Sequence, residues 1–242
     1  MHKRNARRIQ TGNLDDDMSL LAQCDLIIEA VIENLEIKQD LYRRVDTARK
    51  HGSIVSSNTS TIPLAKLVNG LPEDFARDFA ITHFFNPPRY LRLLEVVAGT
   101  HTRADAITSL QVFGDRALGK SVVLCKDTPG FIANRIGILW TTSAIRFAFE
   151  DQLSVEEADA IVGRPMGIPK TGVFGLMDLV GIDLQPHVSS SMLSSLPAQD
   201  MFRDLHQESE LIARMIREGY TGRKGKGGFY RLNRTNGKRI KE

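Results

Sequence analysis

The sequence predicts an α/β fold, with a mostly parallel sheet in the first half of the chain and an all-helical domain after it. Short apolar runs of strand length alternate with helical patterns up to residue 126, and only helical patterns follow. Continuously apolar runs are typical of strands that are buried on both faces of a parallel sheet. Residues 1–126 are therefore expected to form a partial Rossmann-like domain, and residues 127–242 a helical domain.

Five apolar runs are candidate strands, and they cover residues 24–32, 53–58, 79–85, 93–99 and 121–126. A helix that ends near Gly52 is expected after the first run, because apolar residues recur there with helical spacing: Leu35, Leu41, Tyr42 and Val45. A short helix and a loop are expected over 61–78. A longer helix is expected over 105–119, with Gly119 at its end, because glycine commonly terminates helices.

The second half of the chain shows helical patterns from residue 127 onwards. The run SVEE, Ser154 to Glu157, matches a capping box and predicts the start of a helix. No strand is expected after residue 126. The basic tail after Tyr230 has the composition of frayed or linker sequence.

Composition excludes several classes of protein. Of the 242 residues, 42% are hydrophobic and 25% are charged, and a net charge of +3 is too small to indicate a nucleic-acid partner. Cys24 and Cys125 have no metal-type spacing and fit a reducing compartment. No apolar run is long enough to span a membrane, and the basic N-terminus lacks the apolar stretch of a secretory signal. We therefore expect a cytoplasmic protein, with a short mitochondrial presequence as the alternative.

One histidine and one glutamate stand in neighbouring apolar runs, His83 in FAITHFF and Glu95 in LLEVVAG. A hairpin centred near Arg89 would place the two side chains opposite each other. A carboxylate on one imidazole nitrogen fixes the tautomer and leaves the other nitrogen free to take a proton, so the pair is a candidate acid/base dyad. The alternative is a core histidine bonded to a backbone carbonyl and a glutamate that reaches solvent. Spacing alone leaves both open.

Four motifs in order resemble one known family. SSNTST at 56–61, THFFNP at 82–87, KDTPGFIANR at 126–135 and GKGGFY at 225–230 resemble the 3-hydroxyacyl-CoA dehydrogenases, most closely the dehydrogenase region of fused bacterial β-oxidation proteins. The resemblance implies oxidation of a 3-hydroxyacyl-CoA to a 3-oxoacyl-CoA, with hydride transfer to NAD. It also implies a helical domain that forms the substrate cleft and dimerises. The chain would then be a homodimer or part of a larger fused β-oxidation protein.

The resemblance also assigns roles to residues. His83 would be the general base and Glu95 its support, while Ser60 and Asn134 would hydrogen-bond the substrate oxygen. Cofactor contacts would come from five residues: Glu33, Lys38, Ser60, Asn86 and Lys224. No metal site is expected.

Each of these residues also has a purely structural interpretation. Ser60 could be a helix N-cap, and Asn134 a polar helix residue that faces solvent. Glu33 and Lys38 could belong to an ordinary solvated helix face.

The sequence departs from the family pattern before the first candidate strand. No glycine-rich strand-turn-helix segment of the kind that holds a dinucleotide pyrophosphate precedes residue 24. We therefore expect a truncated dehydrogenase with an uncovered apolar edge at Leu26 to Val31, weak NAD binding, little or no turnover by the chain alone and a tendency to self-associate. Two function classes remain: the dehydrogenase, and a noncatalytic acyl-CoA-binding or assembly module derived from it.

Overall fold

The computed structural model describes residues 3–168, 171–232 and 239–240. The chain divides into two compact units, Met1–Ile132 and Ala133–Glu242. The domain boundary that we placed after residue 126 stays a prediction.

The first unit is built on a five-stranded sheet, which confirms the predicted strands. In chain order they are β1 (Leu26–Glu29), β2 (Ile54–Ser57), β3 (Phe79–Phe84), β4 (Leu93–Ala98) and β5 (Ser121–Cys125). The spatial order is the same as the chain order, and every neighbouring pair is parallel except β3 and β4, which are antiparallel. Strand β1 lies at one edge of this sheet, where Ile28 is 42% exposed. The predicted self-association through this edge stays a prediction.

Helices cover both faces of the sheet. They are α1 (Leu35–Ala48), α2 (Leu64–Leu67), α3 (Glu73–Asp78) and α4 (Ala104–Val112). Helices α1 to α3 pack on one face of the sheet, in a cluster around Tyr42, Phe75 and Phe79. Helix α4 packs on Ala80 and Val96. Along β3 and β4 these two residues alternate with residues of the first cluster, so α4 covers the other face.

The three predicted helices of the first unit are present and differ from the structure in detail. Helix α1 ends at Ala48, short of Gly52, because the chain turns at Gly52 with φ of 77°. Residues 61–78 contain two short helices, each preceded by a proline at its N-terminus. Helix α4 continues from Phe113 to Ala117 as a π-helical turn before Gly119 reverses the chain at φ of 64°.

The second unit is mostly helical. Its helices are α5 (Ala133–Glu150), α6 (Val155–Ile161), α7 (Phe174–Val180), α8 (Leu184–Ser195), α9 (Met201–Leu205) and α10 (Glu210–Glu218). The predicted capping box starts α6: the backbone N–H of Glu157 donates to the Ser154 hydroxyl, and the Ser154 N–H donates to the Glu157 carboxylate. In the described part of the chain no helix is long and apolar enough to cross a membrane.

The prediction of an all-helical second part is wrong at its end. Two short antiparallel strands, β6 (Arg231–Leu232) and β7 (Arg239–Ile240), follow residue 126, and residues 233–238 of the predicted frayed tail lie outside the described residues. The physical reason lies in the GKGGFY motif. The buried Asp178 of α7 accepts hydrogen bonds from the backbone of Phe229 and Tyr230 at 2.9 and 2.8 Å, and a Cβ on Gly228 would lie 1.9 Å from its Oδ1. This carboxylate therefore anchors the chain that leads into β6.

A buried ion-pair group joins three helix ends in the first unit. The carboxylate of Asp78, at the end of α3, accepts hydrogen bonds from Arg49 after α1 and from Arg103 before α4, each at 2.6 Å. Burial alone would raise the pKa of Asp78, but the two guanidinium groups outweigh it and hold the pKa below its ordinary value of 3.8. The ionised form therefore stabilises the fold.

Asp78→Asn is expected to lower the free energy of unfolding by about 3 kcal/mol at pH 7, since it breaks a buried charge pair. Because the folded-state pKa lies below the unfolded one, the contribution of Asp78 is complete above about pH 4 and is lost as the pH falls through the folded-state value. Urea unfolding of the full chain between pH 7 and pH 2.5 measures this. The difference in the free energy of unfolding between the parent and Asp78→Asn should become smaller as the pH falls towards 2.5.

The matched control is Asp105→Asn. Asp105 pairs with the same Arg103 but its side chain is 74% exposed, so its loss should cost under about 1 kcal/mol. Equal effects of the two substitutions, or a difference for Asp78→Asn that does not change with pH, would contradict this account.

Candidate active site

His83 and Glu95 face each other across the antiparallel strand pair. The register pairs them directly, and His83 Nδ1 lies 2.8 Å from Glu95 Oε2. His83 is 4% exposed and Glu95 1% exposed, so the alternative of a glutamate that reaches solvent is wrong. The bond to the carboxylate places the proton of a neutral imidazole on Nδ1, and Nε2 has no hydrogen-bond partner among the described residues. That nitrogen can accept a proton.

A tight turn before α5 holds the second oxygen of Glu95. Gly130 has a φ of 73° and Phe131 a φ of 49°, and the backbone N–H of Ile132 then donates to Glu95 Oε1 at 3.0 Å. The same turn packs the Phe131 ring 5.6 Å from the imidazole of His83. Phe85 contacts that imidazole edge-on, with centroids 4.5 Å apart. The imidazole therefore has few orientations available to it.

Ser60 lies in the loop between β2 and α2, which two carboxylates hold. Glu33 Oε1 accepts hydrogen bonds from the Thr59 hydroxyl at 2.5 Å and from the backbone of Ser60 at 3.0 Å. At the other end of the loop, Asp127 accepts from the first N–H groups of α2, Leu64 at 2.7 Å and Ala65 at 3.0 Å. The hydroxyl of Ser60 caps no helix, because the residue before α2 is Pro63. It has no partner within the described part of the chain.

Glu33 and Lys38 are part of a polar network at the carboxyl end of β1. Lys38 is 1% exposed, and its ammonium lies 2.7 Å from Glu29 and 3.4 Å from Glu33. The solvated-face interpretation of Lys38 is therefore wrong. Burial raises the pKa of Glu33, but hydrogen bonds from Thr59 and Thr61 and the charge of Lys38 outweigh it and leave the pKa below its ordinary value.

Glu29 is the residue that the sequence analysis missed. It is 5% exposed and accepts hydrogen bonds from Lys38, from the Tyr42 hydroxyl at 2.6 Å, from the Ser57 hydroxyl at 2.7 Å and from the Val31 backbone at 2.6 Å. A single carboxylate inside the apolar run DLIIEAVI was the available signal, because a buried charge requires partners.

The other predicted site residues are Asn86, Asn134 and Lys224. Asn86 is exposed after β3. In the second unit, Asn134 is the second residue of α5 and lines a cavity, so it is not simply a solvent-facing helix residue. Lys224 forms an ion pair with Asp183 at 2.8 Å.

A thiol nucleophile does not explain the arrangement around His83. Burial and the neighbouring Glu95 raise the pKa of the Cys125 thiol to about 11, so it is protonated at neutral pH and a poor nucleophile. Among the described residues no cluster of three potential metal ligands occurs. The chemistry that the geometry offers is proton transfer at His83 Nε2.

Comparison with known proteins agrees with this geometry. The family model for the NAD binding domain of 3-hydroxyacyl-CoA dehydrogenase matches residues 1–128, and the model for its C-terminal domain matches residues 130–232. The chain belongs to the 3-hydroxyacyl-CoA dehydrogenase family. This confirms the resemblance that the four motifs indicated.

Members of the 3-hydroxyacyl-CoA dehydrogenase family align over most of the chain. One relative is a Rickettsia felis protein whose name describes a trifunctional enzyme of the fatty acid oxidation complex. It is 44% identical to this chain over 234 residues, which are 97% of this chain and 32% of that protein. Human mitochondrial hydroxyacyl-coenzyme A dehydrogenase is 34% identical over 89% of this chain and 66% of its own length. The structure of (S)-3-hydroxybutyryl-CoA dehydrogenase from Ralstonia eutropha matches with a TM-score of 0.79 and 28% identity, over 90% of this chain and 74% of that one. The chain spans about a third of the length of the first of these relatives.

Glu29→Gln is expected to lower the free energy of unfolding by about 3 kcal/mol at pH 7, because it leaves the buried ammonium of Lys38 without its nearest counter-charge. Combining it with Lys38→Met removes both charges and should recover part of that loss. Urea unfolding of the parent, both single variants and the double variant gives the coupling energy.

Glu36→Gln on the exposed side of α1 is the control and should change stability by less than about 0.5 kcal/mol. A double variant that is no more stable than Glu29→Gln alone would show that the pair is not coupled.

Proposed function

We propose that this chain oxidises the 3-hydroxyl group of a 3-hydroxyacyl-CoA to the 3-oxo group, with hydride transfer to NAD, in fatty-acid β-oxidation. The observation that supports this most directly is the buried His83–Glu95 pair, whose Nδ1–Oε2 bond leaves Nε2 available. Oxidation of an alcohol requires removal of the hydroxyl proton as hydride leaves the same carbon. A neutral imidazole with one free nitrogen is suited to that step.

In the proposed reaction His83 Nε2 takes the proton of the 3-hydroxyl group and becomes an imidazolium. Glu95 stabilises this cation, because its carboxylate is already bonded to Nδ1 at 2.8 Å and is itself held by the Ile132 N–H. Ser60 and Asn134 hydrogen-bond the substrate oxygen, where negative charge develops as the proton leaves. The carboxylates of Glu33 and Asp127 keep the Ser60 loop in place.

Bound NAD supplies the hydride acceptor. The Ser60 hydroxyl and the Asn86 amide fit the polar end of such a cofactor. Ser60 follows the carboxyl end of β2 and Asn86 follows the carboxyl end of β3, and open α/β sheets bind ligands at these ends of their strands. Neither group has a hydrogen-bond partner within the described ranges. Glu33, held beside Lys38, follows β1 at the same edge of the sheet, and we assign this pair to the cofactor too. We assign Lys224 to the cofactor as well.

The finer assignments are proposals of the same kind. A place in a larger fused β-oxidation protein is supported by the Rickettsia felis relative, of which this chain matches 32%. A cytoplasmic location is supported by the unpaired state of Cys24 and Cys125. We also propose that the family's homodimer forms.

In the larger fused protein that we propose, His83→Ala is expected to lower kcat for 3-hydroxyacyl-CoA oxidation by about 10²- to 10⁴-fold with little change in acyl-CoA binding, since a positioned base contributes that much to the rate. Glu95→Gln should cause a loss of similar size. NADH formation monitored by absorbance gives kcat, and calorimetry with the 3-hydroxyacyl-CoA gives the affinity.

His101→Ala, at an exposed histidine of the same unit, is the control and should behave as the parent does. If both His83→Ala and Glu95→Gln kept kcat within about threefold of the parent, a difference below 1 kcal/mol, the dyad would have no catalytic role. If the parent itself bound acyl-CoA without turnover, the noncatalytic acyl-CoA-binding class would replace the dehydrogenase.

A further inference from the structure

Glu29 is a buried carboxylate that has no part in the proposed reaction. Two of its hydrogen-bond donors are the hydroxyls of Tyr42 and Ser57, and both of these side chains are fully buried. Its ion-pair partner Lys38 is 1% exposed. Burying two charges together adds little net stability, because the cost of desolvation offsets most of their attraction. The connections of this group to the loop that carries Ser60 indicate another role.

The first connection between Glu29 and the loop passes through Ser57. The Ser57 hydroxyl donates to Glu29 Oε2 at 2.7 Å and accepts the backbone N–H of Thr59 at 3.2 Å. A hydroxyl has one proton, so its donation to the carboxylate leaves the lone pairs of this oxygen for the N–H group. The Thr59 hydroxyl in turn accepts the N–H of Ile62 at 3.1 Å. Glu29 therefore sets the orientation of the hydroxyl at the start of the loop.

The second connection passes through Lys38 and Glu33. The Lys38 ammonium lies 2.7 Å from Glu29 Oε1 and 3.4 Å from Glu33 Oε2. The other oxygen of Glu33, Oε1, accepts the backbone N–H groups of Ser60 and Thr61 at 3.0 and 3.1 Å. An ammonium group that Glu29 holds thus contacts the carboxylate that holds the backbone of Ser60.

Tyr42 joins Glu29 to the aromatic core of the first unit. Its hydroxyl donates to Glu29 Oε2 at 2.6 Å, and its ring lies 5.8 Å from the ring of Phe75 and 5.0 Å from that of Phe79. Burial and the hydrogen bond to Glu29 raise the pKa of Tyr42, so its hydroxyl stays protonated and keeps donating at neutral pH. The carboxylate therefore has a fixed partner on the core side and two connections on the loop side.

We propose that Glu29 is a positioning residue for Ser60. It joins the loop after β2 to the core, through Ser57 on one side and through Lys38 and Glu33 on the other, and so holds the Ser60 hydroxyl in one place. The inference rests on the proposed function, in which that hydroxyl bonds the substrate oxygen, and it adds the residues that keep this contact in register. A displacement of about 1 Å in a positioned group can lower a rate about 10²-fold.

The first test is amide hydrogen exchange of the 242-residue chain, measured residue by residue by NMR, and it does not depend on turnover. Ser57→Ala removes one hydroxyl and leaves the charges of Glu29 and Lys38 in place. The amides of Ser60 and Thr61 keep their own acceptor in this variant, yet we expect them to exchange at least about tenfold faster because the loop opens locally. Amides within β3 should stay within about threefold of their parental rates.

Glu29→Gln interrupts both connections and should accelerate exchange at Ser60 and Thr61 further than Ser57→Ala does. Because this variant is also less stable, its loop amides are compared with those of β3, which report on opening of the whole unit. Loop exchange that rises only as much as exchange in β3 would show a general loss of stability and would overturn the proposal.

The matched control is Thr102→Val, in a loop at the opposite end of the sheet. The Thr102 hydroxyl donates to the Phe79 carbonyl at 2.7 Å and accepts the N–H of Gly99 at 2.8 Å, so this variant loses the same two kinds of bond. Amides 60 and 61 should exchange in it as they do in the parent. Parental rates at these amides in Ser57→Ala, or an equal acceleration in Ser57→Ala and Thr102→Val, would overturn the proposal.

The second test is a double-mutant cycle on turnover in the larger fused protein. Ser60→Ala alone should lower kcat about 10²- to 10³-fold, the usual effect of losing one donor to a developing oxyanion. Ser57→Ala should lower kcat about tenfold and leave KM for the acyl-CoA within about threefold, because only the placement of the Ser60 hydroxyl changes. In the Ser60→Ala background, Ser57→Ala should cause no further loss beyond about threefold. Losses that multiply would show that Ser57 does not act through Ser60.

The two tests separate the possible failures. A fused protein that binds acyl-CoA without turnover would refute the proposed function, whereas faster exchange at Ser60 in Ser57→Ala would still support the positioning role of Glu29. Turnover together with parental exchange in Ser57→Ala would refute the positioning role and leave the proposed function intact.

Discussion

The antiparallel register of β3 and β4 is the constraint on which the candidate active site depends. This pair interrupts an otherwise parallel sheet and brings His83 directly opposite Glu95. Side chains alternate between the two faces of a strand, so a shift of one residue would move the carboxylate to the other face and leave two buried titratable groups without partners. The apolar residues on both faces of β4 oppose such a shift, because Leu94, Val96 and Val97 are each at most 2% exposed.

Carboxylates organise the loops around this strand pair. Glu29, Glu33, Glu95 and Asp127 each accept hydrogen bonds from backbone N–H groups of another segment or of the loop that follows them. A carboxylate can accept several such bonds at once, and each bond to a charged group is stronger than one between neutral groups. Loops without regular structure are thereby held at defined positions, which proton transfer at His83 and hydrogen bonding by Ser60 both require.

The sequence predicted the features that depend on local periodicity and missed those that depend on distant partners. The five strands follow from apolar runs, and the His83–Glu95 pairing follows from the midpoint of a hairpin. The role of Glu29 could not be predicted in this way, because its partners Tyr42 and Ser57 are 13 and 28 positions away and belong to a helix and to a neighbouring strand. The strands β6 and β7 were missed for a similar reason. The chain that leads into them is held by Asp178, 51 positions before Phe229.

The turn at Phe131 shows how tertiary contacts can override local preference at a site. A positive φ is costly for a bulky residue, on the order of 1–3 kcal/mol, and Phe131 adopts one immediately after a glycine that could have absorbed the reversal alone. Two interactions offset that cost. The ring is 4% exposed in the cluster around Tyr42 and Phe79, and the altered backbone lets the Ile132 N–H reach Glu95. The conformation therefore persists only while both the core and the buried carboxylate are in place, which makes the turn a part of the site rather than a connection between two units.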